Sequence, residues 1–314
     1  MESREIAANA VSVTLTGYCG WHDCILLGNG QIEVVVVPAI GRVMQLRRQG
    51  DQTGCFWTNP ELAGKLHTAS RDEWVNFGGD KCWPAPQSEW PRCQGRDWPP
   101  PLAFDAKPVF ADVRGNGVVL TSEIDSGYGI QVVRYLELEA NLPVLRIRTV
   151  FHKVAGSPVS VSVWTVTQLR DPELVALQTS ARSHFAEGFN RLIPSEPLHW
   201  KHEGEMLSLA RHPQERAKIG TEGSAMVWVG REAVLRVESE VAPSVAAERF
   251  PDDGCRSEIY TNPDFEPYVE LETLGPLVNL RAGESTEHTT RYTLLPRTMA
   301  DATEEARSVL LQKL

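Results

Sequence analysis

The segment Val144-Leu-Arg-Ile-Arg-Thr-Val-Phe151 decides the fold class, because its side chains alternate in polarity with a period of two. In an extended strand, alternate residues project to opposite faces. One face consists of Leu145, Ile147, Thr149 and Phe151, and the other carries Arg146 and Arg148. The pattern predicts a β-strand with one side buried and the other side in water.

Similar segments recur along the chain and are short, rich in Val, Ile, Thr and aromatic residues, and bounded by turn residues. They are 31–37, 42–48, 118–124, 131–139, 158–169, 225–229 and 268–274, and the segment that begins at Val144 extends to Lys153. Asn29-Gly30 and Asn116-Gly117 lie between such segments and predict antiparallel two-residue hairpins. Helical periodicity is found only at the end, where Asp301 would cap a helix with Lys313 near its C-terminus. We therefore expect an all-β antiparallel sandwich with a C-terminal helix packed outside a sheet.

Composition restricts the class of protein. Of the 314 residues 42% are apolar and 23% charged, which is typical of a globular chain, and no repeat or linker divides residues 1–314 into two domains. The net charge of -10, with no basic run longer than Arg47-Arg48, makes nucleic acid an unfavourable partner. The longest aliphatic run, Val34 to Val37, is too short to span a membrane, and the first ten residues lack a signal-peptide pattern. We expect a cytoplasmic protein.

The cysteines do not indicate a metal or disulfide framework. None of the six forms a C-x-x-C pair, so reduced thiols are expected. Cys19-Gly-Trp-His22-Asp-Cys24 would supply half of a zinc site, but no second pair follows at a usual spacing. The alternative is two small buried residues beside a hydrogen-bonded imidazole. We expect no metal and no cofactor.

Residues 59–107 have no sustained period and contain four tryptophans, which favours a long ordered loop over a disordered one. Part of this loop combines aromatic rings with polar side chains. The candidate sugar-binding residues in it are Trp74, Asn76, Asp80, Lys81, Trp83 and Gln87. Sugars present apolar C–H faces and a rim of hydroxyls, which such residues match. The alternative is a satellite core in which Asp80 and Lys81 form a local ion pair.

Two strand segments add further candidates. Glu270 and Glu272 would share one strand face about 7 Å apart, since each residue rises ~3.3 Å, and like charges so placed raise at least one pKa. In residues 159–169, Trp164 and Gln168 would share a face that lines a cleft. The alternatives are a solvated outer face for the glutamates, and a packed tryptophan with a surface glutamine.

Three motifs resemble a known family. Residues 29–46 resemble the opening hairpin of aldose 1-epimerases, and Val269-Glu-Leu-Glu272-Thr resembles their strand with the catalytic glutamate. Gly78-Gly-Asp-Lys-Cys-Trp-Pro-Ala-Pro-Gln87 is similar to a bacterial branch of the galactose mutarotase-like superfamily. The resemblance implies a β-supersandwich with few short helices and Glu272 as general base, and it makes Lys81 the rough counterpart of the family's sugar-contacting arginine. Arg42 is a further candidate sugar-binding residue.

The same resemblance places Trp164 where the family has the histidine that protonates the ring oxygen. His152, His184 and His199 are other possible proton sources, although each is also an ordinary structural or surface imidazole. Without a general acid the rate would fall by a factor of roughly 10² to 10⁴.

Three functions are compatible with these residues, and all use a small-molecule carbohydrate. The first is an aldose 1-epimerase-like enzyme with Glu272 as base. The second is a sugar-binding or regulatory module without catalysis. The third is a sugar lyase or hydrolase, which would need a further Tyr, His or carboxylate across the cleft from Glu272.

Overall fold

A computed structural model describes residues 11–68, 73–193, 200–240 and 249–312. Short 3-10 helices lie at Pro38–Ile40, Pro60–Leu62 and Gln87–Glu89. The α-helices are α1 (Trp90–Gln94), α2 (Leu102–Asp105) and α3 (Ala302–Leu310). The strands are β1 (Ser12–Tyr18), β2 (Trp21–Gly28), β3 (Ile32–Val37), β4 (Arg42–Arg48), β5 (Asp80–Ala85), β6 (Phe110–Arg114), β7 (Gly117–Asp125), β8 (Ile130–Leu138), β9 (Val144–Lys153), β10 (Val159–Arg170), β11 (Leu174–Gln178), β12 (Asn190–Arg191), β13 (Trp200–Glu203), β14 (Met206–Leu209), β15 (Ala217–Thr221), β16 (Ala225–Val229), β17 (Ala233–Ser239), β18 (Ser257–Thr261), β19 (Tyr268–Leu274), β20 (Val278–Leu280) and β21 (Ser285–Pro296).

These strands form two antiparallel sheets. The first has the order β1-β2-β3-β4-β5-β10-β19-β18-β15-β12, with β20 also paired to β10. The second has the order β13-β14-β11-β16-β17-β21-β9-β8-β7-β6. Both sheets contribute to a common core, for example Leu27 and Leu271 from the first and Leu145 and Leu235 from the second. The described chain is therefore the predicted all-β sandwich, with apolar faces of two sheets buried against each other.

The strand predictions are confirmed, and four have the predicted bounds: β4, β9, β16 and β19. On β9, Leu145 and Ile147 enter the common core while Arg146 and Arg148 stay partly exposed. The second predicted hairpin is displaced by one residue. Arg114 pairs with Gly117, so the turn consists of Gly115 and Asn116, and Gly115 supplies the positive φ of 57°.

The prediction of an uninterrupted loop over 59–107 is wrong at 80–85, where β5 joins β4 to β10. All six residues of β5 are buried, so the sequence shows no alternation of polar and apolar residues there. Gly78 and Gly79, with φ of 92° and 71°, lead into the strand. A Cβ on Gly78 would lie 2.2 Å from the Trp57 carbonyl, so this approach requires glycine.

The C-terminal helix α3 is confirmed. The Asp301 carboxylate accepts hydrogen bonds from the backbone N–H groups of Thr303 (2.8 Å) and Glu304 (3.0 Å). Val309 and Leu310 pack with residues of β11, β16 and β17 on the side of the second sheet away from the common core. Among the described residues, no helix combines the length and apolar character that crossing a bilayer would require.

Some residues considered in the sequence have a different or undescribed environment. His199 and Lys313 lie outside the described residues. Cys24 is buried as expected, but Cys19 is exposed and adopts a φ of 44° in the turn between β1 and β2. Within the described ranges, no three His, Cys, Asp or Glu side chains are grouped as metal ligands.

Candidate active site

The outer face of the first sheet carries the candidate carboxylates. On β19, Glu270 and Glu272 project away from the common core, whereas Val269 and Leu271 enter it. This division follows from the period of two along a strand. The sequence prediction that the two glutamates share a face therefore agrees with the packing of β19.

The antiparallel register extends this face over five neighbouring strands as two rows of side chains. In the order β5, β10, β19, β18, β15, the first row is Lys81, Val166, Glu272, Glu258 and Gly220. In the order β10, β19, β18, β15, the second row is Gln168, Glu270, Tyr260 and Lys218. Carboxylates, a phenol and ammonium groups from separate parts of the chain are thus brought together by strand pairing alone.

A cavity of about 660 Å³ opens over these rows, and we call it the carboxylate cleft. Its aromatic lining consists of Trp74, Trp83, Trp98, Trp164, Tyr260, Phe265 and Tyr268. Its ionisable lining, apart from these phenols, consists of Arg216, Lys218, Asp252, Glu266, Glu270 and Glu272, and Gln87, Asn262, Leu192 and Ile193 complete it. Six of the predicted site residues therefore meet in one cavity: Trp74, Trp83, Gln87, Trp164, Glu270 and Glu272.

The tryptophan wall is built from the first third of the chain and from β10. Trp83 of β5 lies directly opposite Trp164 of β10, and their rings meet edge to face with centroids 5.2 Å apart. Trp98 contacts Trp83 (6.0 Å) and Trp74 (5.2 Å). The ring contacts hold the wall in place, because each tryptophan is packed against at least one other.

Two donors contact the Glu272 carboxylate. Its Oε2 accepts a hydrogen bond from the Trp164 indole N–H at 2.6 Å and lies 3.0 Å from Lys218 Nζ. Lys218 Nζ also lies 2.7 Å from a Glu258 oxygen and 4.5 Å from the Trp164 ring centroid. Burial would lower the pKa of Lys218, but the carboxylates of Glu258 and Glu272 outweigh burial and raise it. Lys218 therefore remains an ammonium between two carboxylates.

Glu270 has a different environment. Burial raises its pKa to about 6, against the opposing effect of Lys81, whose Nζ lies 3.6 Å from Glu270 Oε1. Burial lowers the pKa of Lys81 to about 8, and its Nζ lies 5.0 Å from the Trp83 ring centroid. Lys81 is fully buried and stands behind the cleft wall rather than in it. The two glutamates of β19 therefore differ, with Glu272 bound by two donors and Glu270 poised to titrate near neutral pH.

Two predicted binding residues, Arg42 and Asp80, do not line the cleft. Asp80 occupies the inner face of β5 and accepts hydrogen bonds from Thr167 (2.8 Å) and Tyr292 (2.7 Å), and it is ion-paired with Arg134. This placement follows from alternation, because Lys81 and Trp83 occupy the outer face. The Asp80 side chain thus links the two sheets.

The Arg42 side chain is also fully buried. Its guanidinium donates to the Asp105 carboxylate at 2.8 Å and to the Gly78 carbonyl at 2.7 Å. Asp105 also accepts the Trp83 indole N–H at 2.9 Å. Arg42 therefore supports the tryptophan wall from behind instead of contacting the cavity.

Asn76 and Gln168 lie next to the cleft without lining it. The Asn76 amide donates to Glu266 Oε2 at 2.9 Å, and Asn59 donates to Glu266 Oε1 at 3.2 Å. Both amides hold a carboxylate that does line the cavity. Gln168 is fully buried in the row beside Glu270.

Sequence reasoning missed the residues that β15, β18 and the segment before β19 contribute. Lys218 occurs in Ala217–Thr221, and Glu258 and Tyr260 occur in Ser257–Thr261. Glu258 and Tyr260 stand at alternate positions on either side of Ile259, which is the signal that exposed Glu270 and Glu272, whereas on β15 Lys218 is followed on the same face by Gly220 and no alternation marks it. Glu266 lies in a loop, where no period exists to mark it.

No described histidine lines the carboxylate cleft. His152 is on β9 in the second sheet, and His184 lines a separate, shallower cavity of about 1030 Å³. Trp164 lies beside Glu272 and donates its indole N–H to that carboxylate. An indole N–H donates a hydrogen bond but does not give up its proton, so Trp164 cannot act as a general acid.

Comparison with solved structures shows the fold. The chain superposes on a TPR-domain containing protein from Parabacteroides distasonis with a TM-score of 0.59 and 15% identity, over 93% of this chain and 49% of that one. A protein from Escherichia coli K12 that is provisionally assigned as an aldose 1-epimerase superposes with a TM-score of 0.55 and 14% identity. The match covers 90% of this chain and 99% of that one. A galactose mutarotase-like protein from Lactobacillus casei superposes with a TM-score of 0.54 and 9% identity. The match covers 86% of this chain and 99% of that one.

The chain thus spans about half the length of the Parabacteroides protein and nearly all of the other two. No protein-family model and no curated protein matches the sequence. The chain shares its fold with these proteins, one of which is described as galactose mutarotase-like, as the sequence resemblance predicted.

Proposed function

We propose that the carboxylate cleft binds a carbohydrate. The observation that carries this proposal is that Glu270 and Glu272 face the same 660 Å³ cavity as four tryptophans. Indole faces cover the apolar C–H surface of a pyranose, and carboxylates accept charge-assisted hydrogen bonds from its hydroxyls. Of the structures that share the fold, one is provisionally assigned as an aldose 1-epimerase and one is described as galactose mutarotase-like, which supports a sugar as the ligand class.

Truncating Trp74 tests the tryptophan wall. Trp74 is only half-buried, so we expect Trp74→Ala to fold normally and to bind a responding aldose roughly 5- to 20-fold more weakly, because a stacking face is lost. The measurement is a titration followed by saturation-transfer NMR of the sugar. The matched control is Trp200→Ala, since Trp200 is also half-buried but does not line the cleft. Equal losses in both variants would contradict the proposal.

A second candidate function is aldose 1-epimerase chemistry, which the contrast between the two glutamates favours. In this reaction a base takes the proton of the anomeric hydroxyl while an acid protonates the ring oxygen, and the ring opens and recloses at the other anomer. Glu272, which accepts the Trp164 indole N–H and pairs with Lys218, is the base in this proposal. Glu270 in its protonated form is the acid, in place of the histidine that Trp164 replaces. The carboxylates lie about 7 Å apart along β19, so both reach one sugar ring.

The pH dependence distinguishes catalysis from binding. Burial holds the Glu270 pKa near 6, so this carboxyl is mostly protonated below pH 6 and mostly ionised above it. An enzyme that uses it as an acid should lose activity about tenfold per pH unit above about pH 7. We expect this decline in kcat/KM for anomer exchange, measured by NMR exchange spectroscopy after the buffer rate at each pH is subtracted.

The variant Glu270→Gln removes the titrating group. We expect its residual rate to be low and independent of pH between about 6 and 8. A wild-type rate that rises towards pH 8 would exclude Glu270 as the acid. A wild-type rate equal to buffer at every pH, together with sugar binding, would identify a non-catalytic binding module.

A further inference from the structure

The carboxylate cleft has an excess of negative charge. Among the described residues that line it, four are carboxylates, namely Asp252, Glu266, Glu270 and Glu272, and two are cations, Arg216 and Lys218. Lys218 is already engaged by Glu258 at 2.7 Å and Glu272 at 3.0 Å. Behind the wall lie Lys81, which pairs with Glu270, and Glu258, whose pKa is raised by burial. The cavity therefore presents two more negative than positive side chains to a ligand.

Two of the lining carboxylates, Glu266 and Glu270, lie at the end of the cleft that holds Tyr268. Glu266 and Glu270 both act on the Tyr268 phenol, whose pKa is raised by burial and by these carboxylates. Glu266 is held in place by the amides of Asn59 and Asn76, so its position is built rather than incidental. Two carboxylates that act on one phenol contribute negative potential at this end of the cleft.

Aromatic rings surround this end. Tyr260 and Tyr268 lie with ring centroids 6.3 Å apart, and Phe265 stands at the cleft with 83% of its surface exposed. Aromatic faces attract an organic cation through the ring quadrupole, and nearby carboxylates add to that attraction. The protein uses the same contact internally, because Lys218 lies over Trp164 and Lys81 over Trp83. The combination of carboxylates and aromatic faces matches an ammonium group.

We propose that the carbohydrate bound by the carboxylate cleft carries an ammonium group, as an amino sugar does, and that Glu266 and Glu270 receive it beside Tyr260 and Tyr268. This inference rests on the proposed sugar-binding function of the same cavity. A phosphorylated sugar or a uronic acid would place a further anion against a lining in which four carboxylates already face two cations. Both are disfavoured electrostatically.

The ammonium group should couple binding to a proton on Glu270. The ionisable groups around Glu270 are Lys81 on β5, Arg42 on β4, Glu272 and Tyr268 on β19, Tyr260 on β18 and Lys218 on β15. A cation placed against Glu270 favours its ionised form and lowers its pKa below about 6. Binding at pH 6 then releases a fraction of a proton, whereas binding at pH 8, where Glu270 is already ionised, releases none.

The first experiment compares matched probes by calorimetry at low ionic strength: D-glucose and D-galactose, their 2-amino-2-deoxy and N-acetylated forms, the 6-phosphates and the uronic acids. We expect at least one amino hexose to bind about tenfold or more tightly than its parent hexose, and the N-acetylated form to lose this advantage with the charge. The advantage should shrink as NaCl rises from about 0.05 to about 0.5 M. At pH 6 the measured enthalpy should vary with the ionisation enthalpy of the buffer.

The second experiment uses charge-removing variants. Glu266→Gln should reduce the ratio of amino-hexose to hexose affinity by roughly three- to tenfold, because the amide keeps the shape but not the charge. Glu287→Gln on β21 is the control, since Glu287 is exposed and outside the cleft, and the ratio should stay at the wild-type value.

The outcomes separate the two levels of the proposal. Tightest binding by a neutral, phosphorylated or uronic sugar would overturn the ammonium inference while leaving sugar binding intact. An amino-hexose advantage that persists unchanged in Glu266→Gln and Glu270→Gln would overturn the assignment of the two carboxylates. Failure of every probe to bind would contradict the proposed function itself.

Discussion

Replacing Asp80 with alanine is expected to lower the free energy of unfolding by about 3 to 5 kcal/mol. The Asp80 carboxylate is fully buried between the sheets and is paired with the Arg134 guanidinium, which is itself 4% exposed. Truncation leaves that cation without its partner in a region of low dielectric and also removes the acceptor of the Thr167 and Tyr292 hydroxyls. Urea unfolding followed by circular dichroism measures the change.

A double variant provides the control. In Asp80→Ala with Arg134→Met the uncompensated charge is absent, so the loss should be smaller than in Asp80→Ala alone. Undiminished stability of Asp80→Ala together with loss of sugar binding would show instead that Asp80 contacts the ligand, as the sequence motif suggested.

The second large effect is expected at Glu272. Glu272→Gln should weaken sugar affinity by roughly tenfold, because a charge-assisted acceptor is worth about 1.5–3 kcal/mol and an amide carbonyl less. The fold should persist, since Lys218 keeps Glu258 and the Trp164 N–H can still donate to the amide oxygen. If the protein is an epimerase, polarimetry should also show a loss of about 10² to 10⁴ in the anomer-exchange rate.

Glu287→Gln again serves as the control for removing a carboxylate from an exposed position. Wild-type affinity in Glu272→Gln would exclude Glu272 from the ligand contacts. A wild-type exchange rate no faster than buffer, combined with a clear affinity loss in the variant, would favour a binding module over an enzyme.

The sequence predicted the sandwich and the paired carboxylates because both depend on a local period of two. Alternation on β19 is complete within seven residues, so it specifies which side chains share a face without knowledge of any partner strand. The same reasoning applied to Leu145 and Ile147, which enter the common core. The local pattern was therefore sufficient to assign both glutamates to one face of β19.

The remainder of the site depends on which strands become neighbours, and the sequence does not encode that locally. Because 80–85 was interpreted as loop, no face could be assigned to Asp80 or Lys81, and both were grouped with the sugar-binding residues. If 80–85 had been recognised as a buried strand, alternation would have assigned Asp80 to one face and Lys81 to the other. Trp83 would have shared the face of Lys81. Lys218 reaches Glu272 only through the pairing of β15 with β18 and of β18 with β19, over 54 residues of sequence.

The carboxylates of β19 reach the cleft only when this strand keeps its register. Deletion of one residue within Tyr268–Leu274 would rotate the rest of the strand by half a period, presenting Leu271 and Thr273 to the ligand and driving glutamates into the apolar interior. We therefore expect this strand to tolerate substitutions at fixed positions but not insertions or deletions. Diversification of ligand preference should instead concentrate in the loop that supplies Phe265 and Glu266, where insertions leave the pairing intact.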